Sequence, residues 1–151
     1  MKYKYILFDL DGTITESGPG IMNSVEYALN KMNREVGERD TLKKFIGPPL
    51  TESMEKYYGM SEEEALLGVK YYREYYAMKG IFENSVYEGL AETLESLKNE
   101  GYILAVATSK PEEYAKRIAD KFDFAKYFAG IYGATMDGSL IRKADVIRYA
   151  L

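Results

Sequence analysis

The chain has 151 residues, with 24 acidic against 20 basic side chains and a net charge of -4. That length supports one ordinary domain, or a small domain carrying an insertion, burying about two thirds of its unfolded surface, and the acidic balance leaves no basic stripe for a nucleic-acid backbone. Cysteine and histidine are both absent, which excludes disulfides, thiolate or imidazole metal sites and histidine-based triads, so catalysis has to rest on Asp, Glu, Lys, Ser, Thr or Tyr.

In chain order, the first element is the apolar run Tyr5 to Phe8, read as a parallel strand covered on both faces. A long helical stretch follows. Ile21, Val25, Ala28, Leu29 and Met32 share one helical face, with Pro19 suited to the first turn. The "TLKKFIGPPLTESMEKYYG" segment carries a Gly-Pro-Pro break between two short helical pieces. Ser61 and Glu64 form a capping box that opens a helix running to near Gly80, with Ala65, Val69, Tyr72 and Tyr76 on its inner side. The clustered tyrosines of this region read as packing rather than as the lining of a cleft.

After this insert, strand and helix alternate. Leu90, Leu94 and Leu97, stopped by Gly101, make a helix, and "YILAVATSK" makes a second strand. Pro111 opens a helix that turns Ala115, Ile118, Ala119 and Phe122 inward. A weaker strand around Ile131 and Tyr132 then leads through "MDGS" to a last helix near Lys143. The fold class is therefore α/β, a Rossmann-like parallel sheet with an inserted all-helical cap. The core comprises residues 1–15 and 84–151, and the cap residues 16–83. No apolar run approaches the ~20 residues of a membrane span, and the N-terminal run has no cleavage-site pattern. The expectation is a soluble, cytoplasmic protein.

The chemistry concentrates in "YILFDLDGT". Asp9 and Asp11 stand at the carboxyl end of the first strand, where residues i and i+2 point to one side and open α/β sheets bind their ligands. Two close carboxylates repel, which splits their roles into one ionised nucleophile or metal ligand and one proton donor. Gly12 permits a sharp turn, and Thr13 offers a hydroxyl. A plain turn accounts for Asp11 but leaves Asp9, directly after a buried run, without a reason. A calcium loop wants an acid or amide two residues beyond Asp11 and a glycine after that, and Thr13 and Ile14 break that pattern.

"FDLDGT" after an apolar strand resembles the first motif of the haloacid dehalogenase superfamily, a phosphatase-rich group with this core and a helical cap. "AVATSKP" resembles its second motif, with Thr108, and Lys143 in "DGSLIRKADVIRYAL" resembles its third. "FIGPPLTES" and "VYEGL" are similar to the phosphoglycolate phosphatase-like branch. The resemblance implies that Asp9 attacks phosphorus and carries an aspartyl phosphate, while Asp11 protonates the leaving oxygen and activates water. It implies magnesium held by the Asp9 carboxylate and the Asp11 carbonyl. It also implies a phosphate site of Gly12, Thr108, backbone amides near Ser109 at a helix start, and Lys143. The expected substrate is a small phosphorylated metabolite: phosphoglycolate-like, or a sugar or nucleotide monophosphate. Loop residues of the insert, Lys44 or Pro48, would select the leaving group.

Relatives continue past the lysine to a fourth, acidic motif that completes the magnesium site, whereas this sequence stops at Leu151. The expectations are a core short at its C-terminal end, weak magnesium binding, impaired activity, and a homo-oligomer formed through the uncovered sheet edge. Three other readings stay open: an inactive fragment, a phosphate-binding signalling module, and a sugar-phosphate mutase, which also uses both carboxylates.

Overall fold

The computed structural model describes residues 2–151. In chain order the elements are β1 (Tyr5–Phe8), β2 (Thr15–Glu16), α1 (Gly18–Lys31), a 3-10 segment (Arg39–Phe45), α2 (Leu50–Tyr58), α3 (Glu62–Tyr76), a 3-10 turn (Gly80–Phe82), β3 (Ser85–Val86), α4 (Leu90–Asn99), β4 (Ile103–Pro111), α5 (Glu112–Lys121), a 3-10 turn (Ala125–Tyr127), β5 (Gly130–Ala134) and α6 (Lys143–Ala150). Two compact units result: Met1–Glu16 with Ser85–Leu151, and Ser17–Asn84.

The first unit is built on a parallel sheet of order β1-β4-β5. Tyr5 pairs with Ile103 through to Phe8 with Val106, and Ala105 with Gly130 through to Ala107 with Tyr132. Short apolar runs joined by helical crossovers give this arrangement, because parallel neighbours need a long connection and both faces of the sheet then take helices. β4 is the central strand, and its residues from Leu104 to Thr108 are all buried. β1 departs from the expectation of a fully covered strand. It has β4 on one side and, among the described residues, no strand on the other, so Tyr5 is 58% exposed and the following three residues are only partly buried. A separate antiparallel pair joins Thr15 to Val86 and Glu16 to Ser85, an element that two residues per strand left invisible in the sequence.

The second unit is helical. Ile21, Val25, Ala28 and Leu29 of α1 are buried on one face, as their spacing requires, and Pro19 occupies the first turn, where its missing N–H is no loss. The first of the two short pieces is a 3-10 segment rather than an α-helix. α3 opens with the expected capping box, Ser61 Oγ accepting from the Glu64 N–H and Glu64 Oε2 from the Ser61 N–H. Tyr72 and Tyr76 stack at 5.3 Å between centroids inside this unit. The helix ends at Tyr76, earlier than Gly80, because the chain bends through residues 77–79 into the 3-10 turn. Among the described residues no helix is long and apolar enough to cross a membrane.

Candidate active site

The turn after β1 is organised by its apolar residues. Leu10 and Ile14 are fully buried, and the Leu10 carbonyl accepts from the N–H groups of Thr13, Ile14 and Thr15. Gly12 supplies the left-handed step at φ +79° that lets the chain double back, and its N–H donates to Thr15 O at 2.8 Å. Its amide is therefore engaged within the turn, and Gly12 contributes shape. Asp9 and Asp11 flank the buried Leu10.

They do not share a strand face, because β1 ends at Phe8 and the chain bends at Leu10, between the two. Each carboxylate instead faces its own lysine. Asp9 Oδ1 accepts from the Leu10 N–H at 2.8 Å and from Lys143 Nζ at 2.6 Å. Lys143 Nζ also donates to the Ala107 carbonyl of β4 at 3.0 Å. In this pair Lys143 is 37% and Asp9 44% exposed at the side chain. Lys143 begins α6, where the helix dipole disfavours a cation by ~0.3–1 kcal/mol; Asp9 and the β4 carbonyl offset that penalty.

Asp11 lies against Lys110, with Nζ 3.2 Å from Oδ1 and side chains only 7% and 6% exposed. The contact is an ion pair by distance, yet Asp11 Oδ1 accepts no aligned hydrogen bond. Lys110 was not singled out from the sequence. The signal was there: Thr108 and Lys110 are i and i+2 at the end of a strand, so a residue assigned to the site drew its second neighbour with it.

The carboxyl end of β4 has an irregularity that positions these groups. Register with β5 shifts between Ala107 and Pro111, so β4 carries extra residues there. Thr108 is buried at this point, its Oγ1 accepting from the Lys110 N–H at 3.0 Å, which leaves the hydroxyl proton free to donate elsewhere. Opposite the bulge sits Gly133, where a Cβ would come within 2.5 Å of the Lys110 carbonyl and 2.7 Å of the Glu112 backbone. Only glycine admits that approach. Ser109 corrects an expectation: it lies inside β4, and α5 begins at Glu112, so the Ser109 amide belongs to the bulge rather than to a helix start. Pro111, which biases the residue before it towards extended backbone, carries the strand on to that point.

The other acidic candidates are otherwise engaged. Asp137 Oδ1 accepts from the Ser139 N–H at 2.9 Å, and Asp145 pairs with Arg148 at 2.7 Å. Hydrogen bonds from the Ser139 backbone first, then from the Ser139 and Thr135 side chains, lower the Asp137 carboxyl from 3.8 to about 2. Lys44, considered for the leaving group, has its ammonium 4.5 Å from the Tyr57 ring centroid.

A family model described as haloacid dehalogenase-like hydrolase matches residues 6–148. The chain is 42% identical over 151 residues to a 5'-nucleotidase of Pseudomonas aeruginosa, covering all of this chain and 68% of that protein. It is 41% identical over 147 residues to the tyrosine-protein kinase PtkA of Mycobacterium tuberculosis, covering 97% of this chain and half the length of that one. Among solved structures, a predicted phosphatase from Clostridium acetobutylicum superposes with a TM-score of 0.96 at 51% identity, covering 98% of this chain and 68% of that one. The aspartate turn, the lysines that meet it from the end of β4 and the start of α6, and a family match over almost the whole length lead to one conclusion: the chain belongs to the haloacid dehalogenase-like hydrolase family.

Proposed function

We propose that this chain carries the catalytic site of a phosphatase that hydrolyses a small phosphorylated metabolite, phosphoglycolate-like or a sugar or nucleotide monophosphate, through an aspartyl-phosphate intermediate. The observation that carries the reading is the pairing of Asp9 with Lys143 at 2.6 Å, beside Thr108 on β4. Both hydrogen bonds to Asp9 fall on Oδ1, so the carboxylate is held in place while its other oxygen is left to attack. That oxygen forms a bond to phosphorus as the ester P–O bond breaks, and the departing oxygen takes a proton from Asp11. Water then attacks the aspartyl phosphate, giving a proton to the Asp11 carboxylate, and the Asp9–phosphorus bond breaks to release inorganic phosphate. Lys143 and the Thr108 hydroxyl would stabilise charge on the phosphoryl oxygens. The Asp11 side chain must turn from Lys110 to serve this role.

Magnesium suits the donor set. Asp9 offers a half-exposed carboxylate, Asp11 a buried carboxylate oxygen with no aligned hydrogen bond, and the backbone adds the Asp11 carbonyl. All are hard oxygens, and magnesium commonly takes one or two carboxylates and completes its shell with water and substrate phosphate. Among the described residues no third carboxylate joins them. Asp9 and the Asp11 carbonyl would hold the ion, which would neutralise phosphate charge and orient the phosphoryl group.

The 5'-nucleotidase relative and the phosphatase neighbour support hydrolysis. The test is a screen of the 151-residue chain with nucleotide, sugar and glycolate phosphates, with and without magnesium, reading inorganic phosphate. Hydrolysis should fall at least ~1000-fold in Asp9→Asn, the scale seen when a nucleophile is removed. Turnover that survives this substitution refutes the nucleophile. Transfer to a tyrosine hydroxyl, the reaction in the name of the PtkA relative, would appear as phosphate on protein in place of free phosphate.

A further inference from the structure

Lys110 is buried at the end of the central strand, and charged side chains are almost never fully buried unless paired. Its partner is Asp11, 3.2 Å away. Stability does not account for the pair, because exchanging a buried ion pair for apolar groups of similar volume is often neutral or favourable. A leucine or methionine on Lys110's part of β4 would serve packing as well. The backbone fixes Lys110 from both sides. Its N–H donates to Thr108 Oγ1, and its carbonyl presses on Gly133 across the bulge.

We infer that Lys110 is a positioning residue for phosphate-ester cleavage: its ammonium group holds the ionised Asp11 carboxylate at the site by charge, with no aligned hydrogen bond on Oδ1, so that Asp11, once it has taken the proton of the attacking water in one turnover, can turn as the neutral acid to the leaving-group oxygen in the next. The inference rests on the phosphatase reading above. A directional hydrogen bond would confine the oxygen to a narrow cone, since such bonds weaken steeply off axis. Coulomb attraction falls only as the inverse of distance and is indifferent to angle. Asp11 Oδ1 has the second kind of contact. The carboxylate thus stays within reach of Lys110 while rotating about its own side-chain bonds.

The two aspartates are handled differently on this account. Asp9 is fixed by two hydrogen bonds on one oxygen, as an attacking group must be, and Asp11 is tethered, as a group that alternately gives and takes a proton must be.

The test compares two substrates of the intact chain at one pH: p-nitrophenyl phosphate, whose leaving group departs without a proton, and a primary alkyl phosphate, whose leaving oxygen needs one. General acid catalysis contributes about 100-fold or more, so Lys110→Met should lower kcat/KM for the alkyl phosphate by about that factor while p-nitrophenyl phosphate loses less than about tenfold; kcat/KM covers only the steps up to departure of the leaving group and leaves out the water step that both substrates share. Lys110→Arg should recover most of the alkyl kcat/KM. Equal losses of kcat/KM on the two substrates would mean a general disturbance of the site or a lysine that binds the phosphate common to both, and would overturn the inference. If wild type shows no hydrolysis, or if hydrolysis persists in Asp9→Asn, it is the phosphatase reading that fails. The tether is then judged by urea unfolding of Lys110→Met, Asp11→Asn and the double variant. The double variant should unfold at no lower urea than Lys110→Met alone; additive losses would show that the two groups do not hold each other.

Discussion

Asp9 and Asp11 flank one buried leucine, and each meets a lysine, but the two pairs lie in different surroundings. Asp9 and Lys143 are about two-fifths exposed and hydrogen-bonded to each other, whereas Asp11 and Lys110 are enclosed and meet at Asp11 Oδ1 without an aligned hydrogen bond. In an exposed pair water screens much of the attraction, and the net contribution to folding is about 0–1 kcal/mol. In an enclosed pair, removing one partner leaves an uncompensated charge and costs about 3–5 kcal/mol. The difference teaches that alignment of the ion pair and its energetic consequence run in opposite directions here. The half-exposed pair is organised for access, and the enclosed one is indispensable to its own neighbourhood.

The sharpest break of this comparison is to remove each lysine in turn. Lys110→Met should lower the unfolding free energy by about 3–5 kcal/mol, and Lys143→Met by about 0–1 kcal/mol, both measured by urea denaturation. Equal losses would erase the distinction. A smaller effect is expected at Gly133. Alanine there meets the Lys110 carbonyl and the Glu112 backbone, groups that cannot swing aside as a side-chain tip can. Overpacking of this kind costs typically about 1–3 kcal/mol. Because the strain falls on the bulge that carries Lys110, Gly133→Ala and Lys110→Met should combine non-additively, while Gly133→Ala and Lys143→Met should be closer to additive. A Gly133→Ala protein as stable as wild type would show that the bulge yields.

Much of the architecture was legible because apolar periodicity reports it directly. The runs at Tyr5–Phe8 and in β4, the inner faces of α1 and α3 and the Ser61 capping box all follow from local spacing. Burial of β1 was not legible, since a continuous apolar run states what a strand can tolerate and not which neighbours it has. Nor was the shift in register between Ala107 and Pro111, because pairing across strands is a property of two distant segments. That shift decides the site. It keeps Ser109 inside the strand and away from a helix start, and it turns Lys110 to Asp11. Lys143 was legible from its place in the order of motifs, although its meeting with Asp9 spans 134 residues of sequence. Lys110 stands two residues from Thr108, but a lysine before a proline normally reads as a solvated strand end, and burial decides between the two readings.

The smallest effect concerns the loop that delivers Lys143, and pH is the way to reach it. Between β5 and α6 the Thr135 N–H donates to the Leu140 carbonyl at 2.8 Å, the Leu140 N–H to Thr135 Oγ1 at 2.9 Å, and the Ser139 N–H to Asp137 Oδ1 at 2.9 Å. These bonds, the Ser139 backbone N–H foremost, bring the Asp137 carboxyl from 3.8 down to about 2 in the folded chain. A carboxyl lowered by folding stabilises the fold fully above its unfolded value, and loses that contribution as pH falls through its folded value. The window for Asp137 therefore runs from about 4 down to about 2. Asp137→Ala should show a constant deficit in stability above that window, closing as the acid end is approached, and the carboxyl carbon of Asp137 should titrate near 2 by NMR. Since this loop leads to Lys143 and not to Lys110, the substitution should loosen the exposed Asp9 pair and leave the enclosed Asp11 pair unchanged. A titration midpoint near the ordinary 3.8 would mean that the Ser139 N–H does not hold Asp137 in solution, and that the approach to Lys143 is ordered by Thr135 and Leu140 alone.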